Sequence, residues 1–503
     1  MAISKPVFRV RTAENVATFV ALQWVNRVLG VVTRVVLIRL LMPDVFGVFA
    51  LATGLIGFIG TFGGFGLDYA IIRKGDRAAE DDYNAGMSLR LVIALGLFVV
   101  SLGVAGPWAS LFSLPSVASA SQVLAFVYLV VPFSFVPSTR LSAELRYRAI
   151  AVPSLAGQIS NSVISVALAA LGFQLWSLVY GLVISQAIAT VAFSVVRPWT
   201  FRFTLRRELV RPLLAYAKHL VSASFLAFLI TNIDNFTVGF FLGSTALGFY
   251  AVAYGIGYLP VSLLSTPAGS ALFPSLVKIQ DQTETLRRGY LESLGYAASL
   301  IAPAAIGVVA LAPELVGVIL GPVWIPATVP LVFLALYGLF RAIIDFSSSL
   351  FAAVGKPRLI SVLNLYILIG SLVLLLPLTL TYGISGTAVA VTVPVAVVSV
   401  MAMYQAAKTL GSGLGEIASR VRGPLLSAEL MGVLVWGCRT ITYKVLPSQV
   451  SLPFGGMTSA ASIVLLTALP VGVLVYFAFL GLIDPAGFRG IGRNALLAFR
   501  ARR

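Results

Sequence analysis

About fourteen long apolar stretches run along this 503-residue chain, and its positive charge falls almost entirely in every second gap between them. Some 20 apolar residues cross the hydrocarbon of a bilayer, and Lys and Arg collect on the cytoplasmic side of such spans. The stretches lie near residues 17–41, 46–72, 86–107, 119–138, 151–171, 174–196, 214–241, 246–275, 290–310, 325–346, 359–380, 384–406, 425–442 and 458–482. The expected fold is therefore an all-α polytopic membrane protein. The apolar runs are continuous, without the alternation of a transmembrane β-barrel. Composition agrees: 59% of residues are hydrophobic and 11% charged, where a soluble domain carries about 25% charged residues.

Charge then orients the chain. With the N-terminus inside, 28 of the 35 Lys and Arg residues fall in cytoplasmic segments. The opposite gaps hold only Arg439 and Lys444, and Arg27, Arg34, Arg39, Arg90 and Arg341 lie within or at the ends of spans. The positive-inside tendency places both termini in the cytoplasm of a cell whose inner membrane carries the protein. The first span reads as uncleaved, because no short apolar region ends in a small-residue cleavage site. The net charge of +17 reads as loops facing anionic headgroups, with no nucleic-acid partner. The one cysteine, Cys438, excludes an internal disulfide and any cysteine metal cluster, and no cofactor is expected. The thirteenth span is the weakest, since Arg439 and Lys444 crowd its end.

The two halves of the chain echo each other. Phe46-Gly47-Val48-Phe49-Ala50-Leu51-Ala52-Thr53-Gly54 matches Leu247-Gly248-Phe249-Tyr250-Ala251-Val252-Ala253-Tyr254-Gly255 at an offset of 201 residues. A weaker echo relates the stretch from Arg148 to Gly172 to that from Arg358 to Gly383. The expected division is a six-helix lobe at 1–196, a basic cytoplasmic linker at 197–213, a second six-helix lobe at 214–407, and two extra helices with a basic tail at 408–503. Six crossings per repeat put both copies in the same orientation, a parallel arrangement known from secondary transporters, with the substrate path between the halves.

Ionisable groups inside a span are costly and mark candidate sites. Arg27 and Arg34 of span 1 are seven residues apart and share a helix face. Guanidinium keeps its charge and offers a planar fork of donors suited to phosphate. The pair points either to an anionic ligand or to snorkelling and internal ion pairing, with Arg39 a weaker case near the outer end. Asn26 lies beside them. In span 7, Asn232, Asp234 and Asn235 lie deep, and the offset matches Asp234 to Thr33 and Asn235 to Arg34. A buried carboxylate at 234 either binds a coupling proton or sodium ion or partners an arginine. Arg341 and Asp345 have the spacing of an intrahelical ion pair and are candidates for the pathway or inner gate. His219, the one histidine, reads as surface.

No G-x-x-x-x-G-K-[ST] loop is present, so ATP-driven pumping by this chain is not expected, nor do H-E-x-x-H or G-x-S-x-G occur. The short outer loops leave no room for a catalytic domain. The chain reads as a transporter and not an enzyme.

The segment Arg39-Leu40-Leu41-Met42-Pro43-Asp44-Val45-Phe46-Gly47-Val48-Phe49-Ala50-Leu51-Ala52 resembles the opening of Wzx-type polysaccharide flippases. The run from Phe62 to Lys74 and the Arg146-Tyr147-Arg148 loop extend the resemblance, which is good over roughly the first 200 residues and topological beyond. It points to the multidrug/oligosaccharidyl-lipid/polysaccharide exporter superfamily. What the resemblance implies is two six-helix lobes around a cationic cavity, working by alternating access. The implied substrate is a polyprenyl-diphosphate-linked oligosaccharide for exopolysaccharide or lipopolysaccharide biosynthesis. Membrane lipids, a proton or sodium ion, a polysaccharide polymerase and chain-length proteins are the implied partners. One departure stands out: where many relatives carry an acidic residue before Phe-Gly-Leu, this chain has Gly64, and its carboxylate comes at Asp68. Arg27, Arg34, Asn26, Asn232 and Asn235 are the expected substrate contacts. The alternative reading is an ion-coupled multidrug or small-metabolite antiporter on the same fold, for which carboxylates in the cavity are expected in place of arginines.

Overall fold

The computed structural model describes residues 5–63, 66–72, 74, 78–144, 146–445, 449–451 and 457–485. Gly64, Arg73, Arg77 and the basic tail from Arg489 to Arg503 lie outside the described residues, as do the side chains of Lys218 and His219. The chain forms two compact units, Met1–Gly248 and Phe249–Arg503.

The first unit contains α1 (Lys5–Leu40), α2 (Pro43–Gly60), α3 (Leu67–Ile72), α4 (Glu80–Leu111), α5 (Pro115–Leu124), α6 (Phe126–Val130), α7 (Phe135–Ala143), α8 (Tyr147–Ala170), α9 (Leu175–Val196) and most of α10 (Arg207–Gly257). The second contains the rest of α10, α11 (Leu259–Lys278), α12 (Thr283–Ala310), α13 (Ala312–Glu314), α14 (Thr328–Ala353), α15 (Pro357–Leu410), α16 (Leu414–Val445) and α17 (Ala460–Ile483). Between α16 and α17, Gln449–Ser451 pairs antiparallel with Met457–Ser459.

Twelve helices among the described residues are long and apolar enough to cross a membrane, against the fourteen expected. Two continuous helical tracts differ from the expected spans. At 51 and 54 residues, α10 and α15 would each reach about 77–81 Å if straight, over twice the hydrocarbon thickness. Each breaks at a glycine with positive φ, Gly243 (83°) and Gly383 (59°), a backbone region open to glycine and costly for side chains. The chain folds back there. Thr379 and Thr387, eight residues apart and about 12 Å apart along a straight helix, share a 2.8 Å hydrogen bond across Gly383. Gly239 lies against Leu247 across Gly243 in the same way. Gly172, which the weaker echo relates to Gly383, also takes positive φ between α8 and α9.

Lipid tails remove the hydrophobic drive between helices, so close backbone approach and hydrogen bonds hold the bundle. The approach of α2 to α10 shows this twice. A Cβ on Gly47 would stand 1.8 Å from the Ser244 carbonyl oxygen, and a Cβ on Gly248 would stand 1.7 Å from the Pro43 carbonyl oxygen. Pro43 and Ser244, like Gly47 and Gly248, are 201 positions apart. The two contacts are therefore one contact repeated about a local two-fold. Trp108 Nε1 donates to the Leu51 carbonyl at 3.2 Å and the Tyr128 hydroxyl to the Ile56 carbonyl, tying α4 and α6 to α2. Outward-facing Val163 and Val195 keep 63% and 71% of their surface exposed, as lipid-facing residues do.

In the second unit the two added helices are built in. Ala428, Met431 and Val435 of α16 and Val464, Ala468 and Tyr476 of α17 join Ile301, Ala302 and Ala305 of α12 in one buried cluster. The Tyr476 hydroxyl donates to the Ser299 carbonyl at 2.8 Å.

Candidate functional site

The amphipathic logic of α1 sets the site in the first unit. Successive residues turn by about 100°. Gly30, Thr33 and Leu37 face α8: Gly30 lies against Gln158, Thr33 donates to Ser162 Oγ at 2.6 Å, and Ser162 donates to the Gln158 carbonyl at 2.8 Å. Val25, Val28 and Val32 form an exposed apolar face. Arg27 and Arg34 occupy the flank between these two faces, about 70–90° round from the α8 contact. Arg27 is half-buried and Arg34 exposed. Among the described residues no carboxylate pairs with Arg34. Arg39 falls on the apolar face near the C-terminal end of α1 and is exposed. Asn26 is half-buried, and its Oδ1 is buried without a donor.

Where α1 meets α8, helices α8 and α9 line a cavity of about 460 Å³, bordered by Leu37 of α1 and Phe49 of α2. Its hydrogen-bonding groups are Ser154, Gln158, Asn161 and Ser165 from α8 with Ser185 and Gln186 from α9. None is charged. A search for ionisable groups within spans does not reach these residues. The signal was present: Ser154, Gln158, Asn161, Ser162 and Ser165 recur at intervals of three and four, a polar stripe within an apolar span.

On α10, Asp234 is buried, 2% exposed, and its Oδ1 accepts the Asn235 amide at 2.9 Å. Its repeat counterpart Thr33 is buried too, at 5%. Asn232 Nδ2 donates to the Phe228 carbonyl and to Thr231 Oγ1, both at 3.0 Å. The Asn235 Oδ1 is buried without a donor.

In the second unit Arg341 and Asp345 come together, with Nε donating to Oδ1 at 3.1 Å. The Arg341 Nη1 is buried without an acceptor. Tyr254, Tyr258 and Tyr337 cluster around the pair: the rings of Tyr254 and Tyr258 stack at 5.9 Å, and both pack on Tyr337. Among the described residues, no three His, Cys, Asp or Glu side chains gather as metal ligands.

The first unit thus carries two arginines on α1 and, where α1 meets α8, a cavity lined by neutral hydrogen-bonding groups. The profile of one sequence family covers residues 36–329, more than half the chain. The chain belongs to the polysaccharide biosynthesis protein family.

Among curated members it is 27% identical over 299 residues to the succinoglycan biosynthesis transport protein ExoT of Rhizobium meliloti (strain 1021), covering 58% of this chain and 59% of ExoT. It is 23% identical over 320 residues to the lipopolysaccharide biosynthesis protein WzxC of Escherichia coli (strain K12), covering 63% of this chain and 64% of WzxC. The match thus spans about three-fifths of the length of these relatives. This polysaccharide biosynthesis protein also shares its fold with lipid II flippase MurJ in an inward closed conformation. The TM-score is 0.75 at 13% identity, over 93% of this chain and 98% of MurJ.

Proposed function

We propose that this protein is a flippase. It moves a polyprenyl-diphosphate-linked oligosaccharide from the cytoplasmic to the outer face of the cytoplasmic membrane by alternating access. The observation that carries the reading is Arg34, an arginine with no carboxylate partner among the described residues, on the apolar helix whose Leu37 borders a cavity of neutral hydrogen-bonding groups. The names and fold of the relatives support it. Arg27 and Arg34 hold the diphosphate, and Asn26, Asn232 and Asn235 hydrogen-bond sugar hydroxyls together with Gln158, Asn161 and Gln186. Two buried amide oxygens without donors, on Asn26 and Asn235, are acceptors that ligand hydroxyls satisfy. An unmet buried acceptor otherwise costs about 1–3 kcal/mol.

The lobes at 1–196 and 214–407 rock about the linker while the prenyl chain stays in lipid. Asp234 is the coupling group for a proton or sodium ion, and the Arg341–Asp345 pair belongs to the pathway or its inner gate. A transporter of this kind makes no covalent product. Polymerase and chain-length proteins act on what it delivers. The cavity lining contains no carboxylate, which favours this reading over export of cationic drugs.

The test is Arg34→Ala in cells that export the polymer. Export is expected to stop and lipid-linked oligosaccharide to accumulate, with normal membrane insertion. Arg34→Lys is expected to retain part of the activity, because it keeps the charge and loses the bidentate fork. Normal export by Arg34→Ala removes Arg34 from the site.

A further inference from the structure

The segment between α9 and the membrane span of α10 carries a second cationic feature, separate from α1. It is held extended against α4. The Arg202 amide donates to Asn84 Oδ1 and the Thr204 amide to Ser88 Oγ, both at 2.9 Å. Side chains alternate along an extended chain, so Phe201, Phe203 and Leu205 share a face. All three are exposed, Phe203 by 63%, and the two rings meet edge to face at 6.3 Å. Leu213, 1% exposed, then buries the start of α10 among Leu67, Ile71, Met87 and Phe135, leaving Leu214 outward. The helix start is therefore docked on the unit, with a defined outer face.

That face is a concavity of about 660 Å³ lined by Leu205, Arg207, Val210, Arg211, Leu214 and Ala215. Its two guanidinium groups are four residues apart and adjacent on the helix surface. Three neighbouring cations are paired: Arg140 with Glu80, Arg197 with Glu144 at 2.7 Å, and Arg206 with Asp81 at 3.3 Å. Among the described residues, Arg207 and Arg211 have no such partner. Two free guanidinium groups over an apolar floor match a phosphate joined to hydrocarbon. Exposed aromatic residues beside them match the depth of the headgroup layer.

We propose that Arg207, Arg211 and the apolar wall of Leu205, Val210 and Leu214 form a binding site for the phosphate of an anionic phospholipid, with Phe201 and Phe203 seated in the same leaflet. The site holds a resident membrane lipid and does not depend on what the protein transports. It pins the linker to the bilayer surface while the helices on either side move.

The experiment uses full-length purified protein titrated with phosphatidylglycerol or phosphatidylcholine of identical acyl chains, with retained lipid counted by native mass spectrometry. Wild type is expected to retain phosphatidylglycerol preferentially. Each of Arg207→Gln and Arg211→Gln is expected to cut that preference about fivefold, while Arg146→Gln, an exposed cation on the same side, leaves it unchanged. Equal losses in all three variants, or equal retention of the two lipids, overturn the site. Displacement of phosphatidylglycerol by millimolar inorganic phosphate or by polyprenyl phosphate overturns it in favour of a free-anion or substrate-docking site. A second measurement leaves both arginines in place. Phe203→Cys in a Cys438→Ser background, labelled with bimane, is expected to be quenched more by brominated phosphatidylglycerol than by brominated phosphatidylcholine. No difference counts against the proposal.

Discussion

Glu314 has 1% of its surface exposed, and one oxygen, Oε1, carries its bonding. Arg439 Nε donates to it at 2.6 Å and the Tyr443 hydroxyl at 3.0 Å, while Oε2 has no donor. In the sequence, Arg439 only weakened the case for a thirteenth span. In three dimensions it is the counter-charge that lets α13 bury a carboxylate, and α16 runs unbroken past it to Val445. Removing one partner of such a pair leaves a charge stranded, at a cost of about 3–5 kcal/mol. Arg439→Met is therefore expected to lower the thermal midpoint in detergent sharply. Arg439→Met with Glu314→Leu should recover much of the loss, and failure to recover would show that the pair is not the stabilising unit. The cavity residues carry a prediction of the opposite kind. Asn161 and Gln158 line open space, so Asn161→Leu is expected to reduce oligosaccharide export with little change in midpoint. Loss of export only in proportion to lost protein would make their role structural.

Helix ends and glycines decide how the elements meet. The reciprocal approach of Gly47 to Ser244 and of Gly248 to Pro43 predicts matched responses. Gly47→Ala and Gly248→Ala each push a methyl into a carbonyl oxygen and are expected to destabilise by similar amounts, about 1–3 kcal/mol. Gly103→Ala, on the open side of α4 with nothing within 4 Å, is expected to be neutral or slightly stabilising. Clearly unequal effects at Gly47 and Gly248, read as thermal midpoints, would reject the local two-fold. The echo that contains these glycines was legible in the sequence, because both copies must satisfy the same close approach. That the copies touch each other was not, because a repeat offset says nothing about distance. The stretches broken at Gly243 and Gly383 were likewise separable by hydropathy.

Over the whole chain, basic residues outnumber acidic ones by 35 to 18. Among the described residues of the first unit, Asp82 holds Lys74 at 2.6 Å, and Glu144 holds Arg197 and Arg146. In the second unit Glu416 holds Arg287 at 3.1 Å through Nε, and Nη2 also reaches it. Each pair cancels one charge of either sign, so the excess of 35 basic over 18 acidic residues is left unchanged. The lone cysteine makes the proposed orientation testable. In a Cys438→Ser background, Gln174→Cys, in the exposed turn between α8 and α9, is expected to react with an impermeant maleimide in intact cells. Gly413→Cys, in the exposed turn before α16, is expected to react only after lysis. The reverse pattern would invert the orientation and the proposed direction of transport.

The sequence by itself determined the membrane-spanning helical class and the approximate span limits. Each follows from transfer free energies that belong to single residues and add along a stretch, whatever the stretch packs against. Only the tertiary structure decided that Arg27 and Arg34 flank the α8 contact, that Asn161 and Gln186 line one cavity with Leu37 and Phe49, that Glu314 is answered by Arg439, and that two glycines clasp each other's chain segments. Those are properties of pairs. In a medium where every apolar face is equally content against lipid, local periodicity names which residues leave water and is silent on which helix receives them.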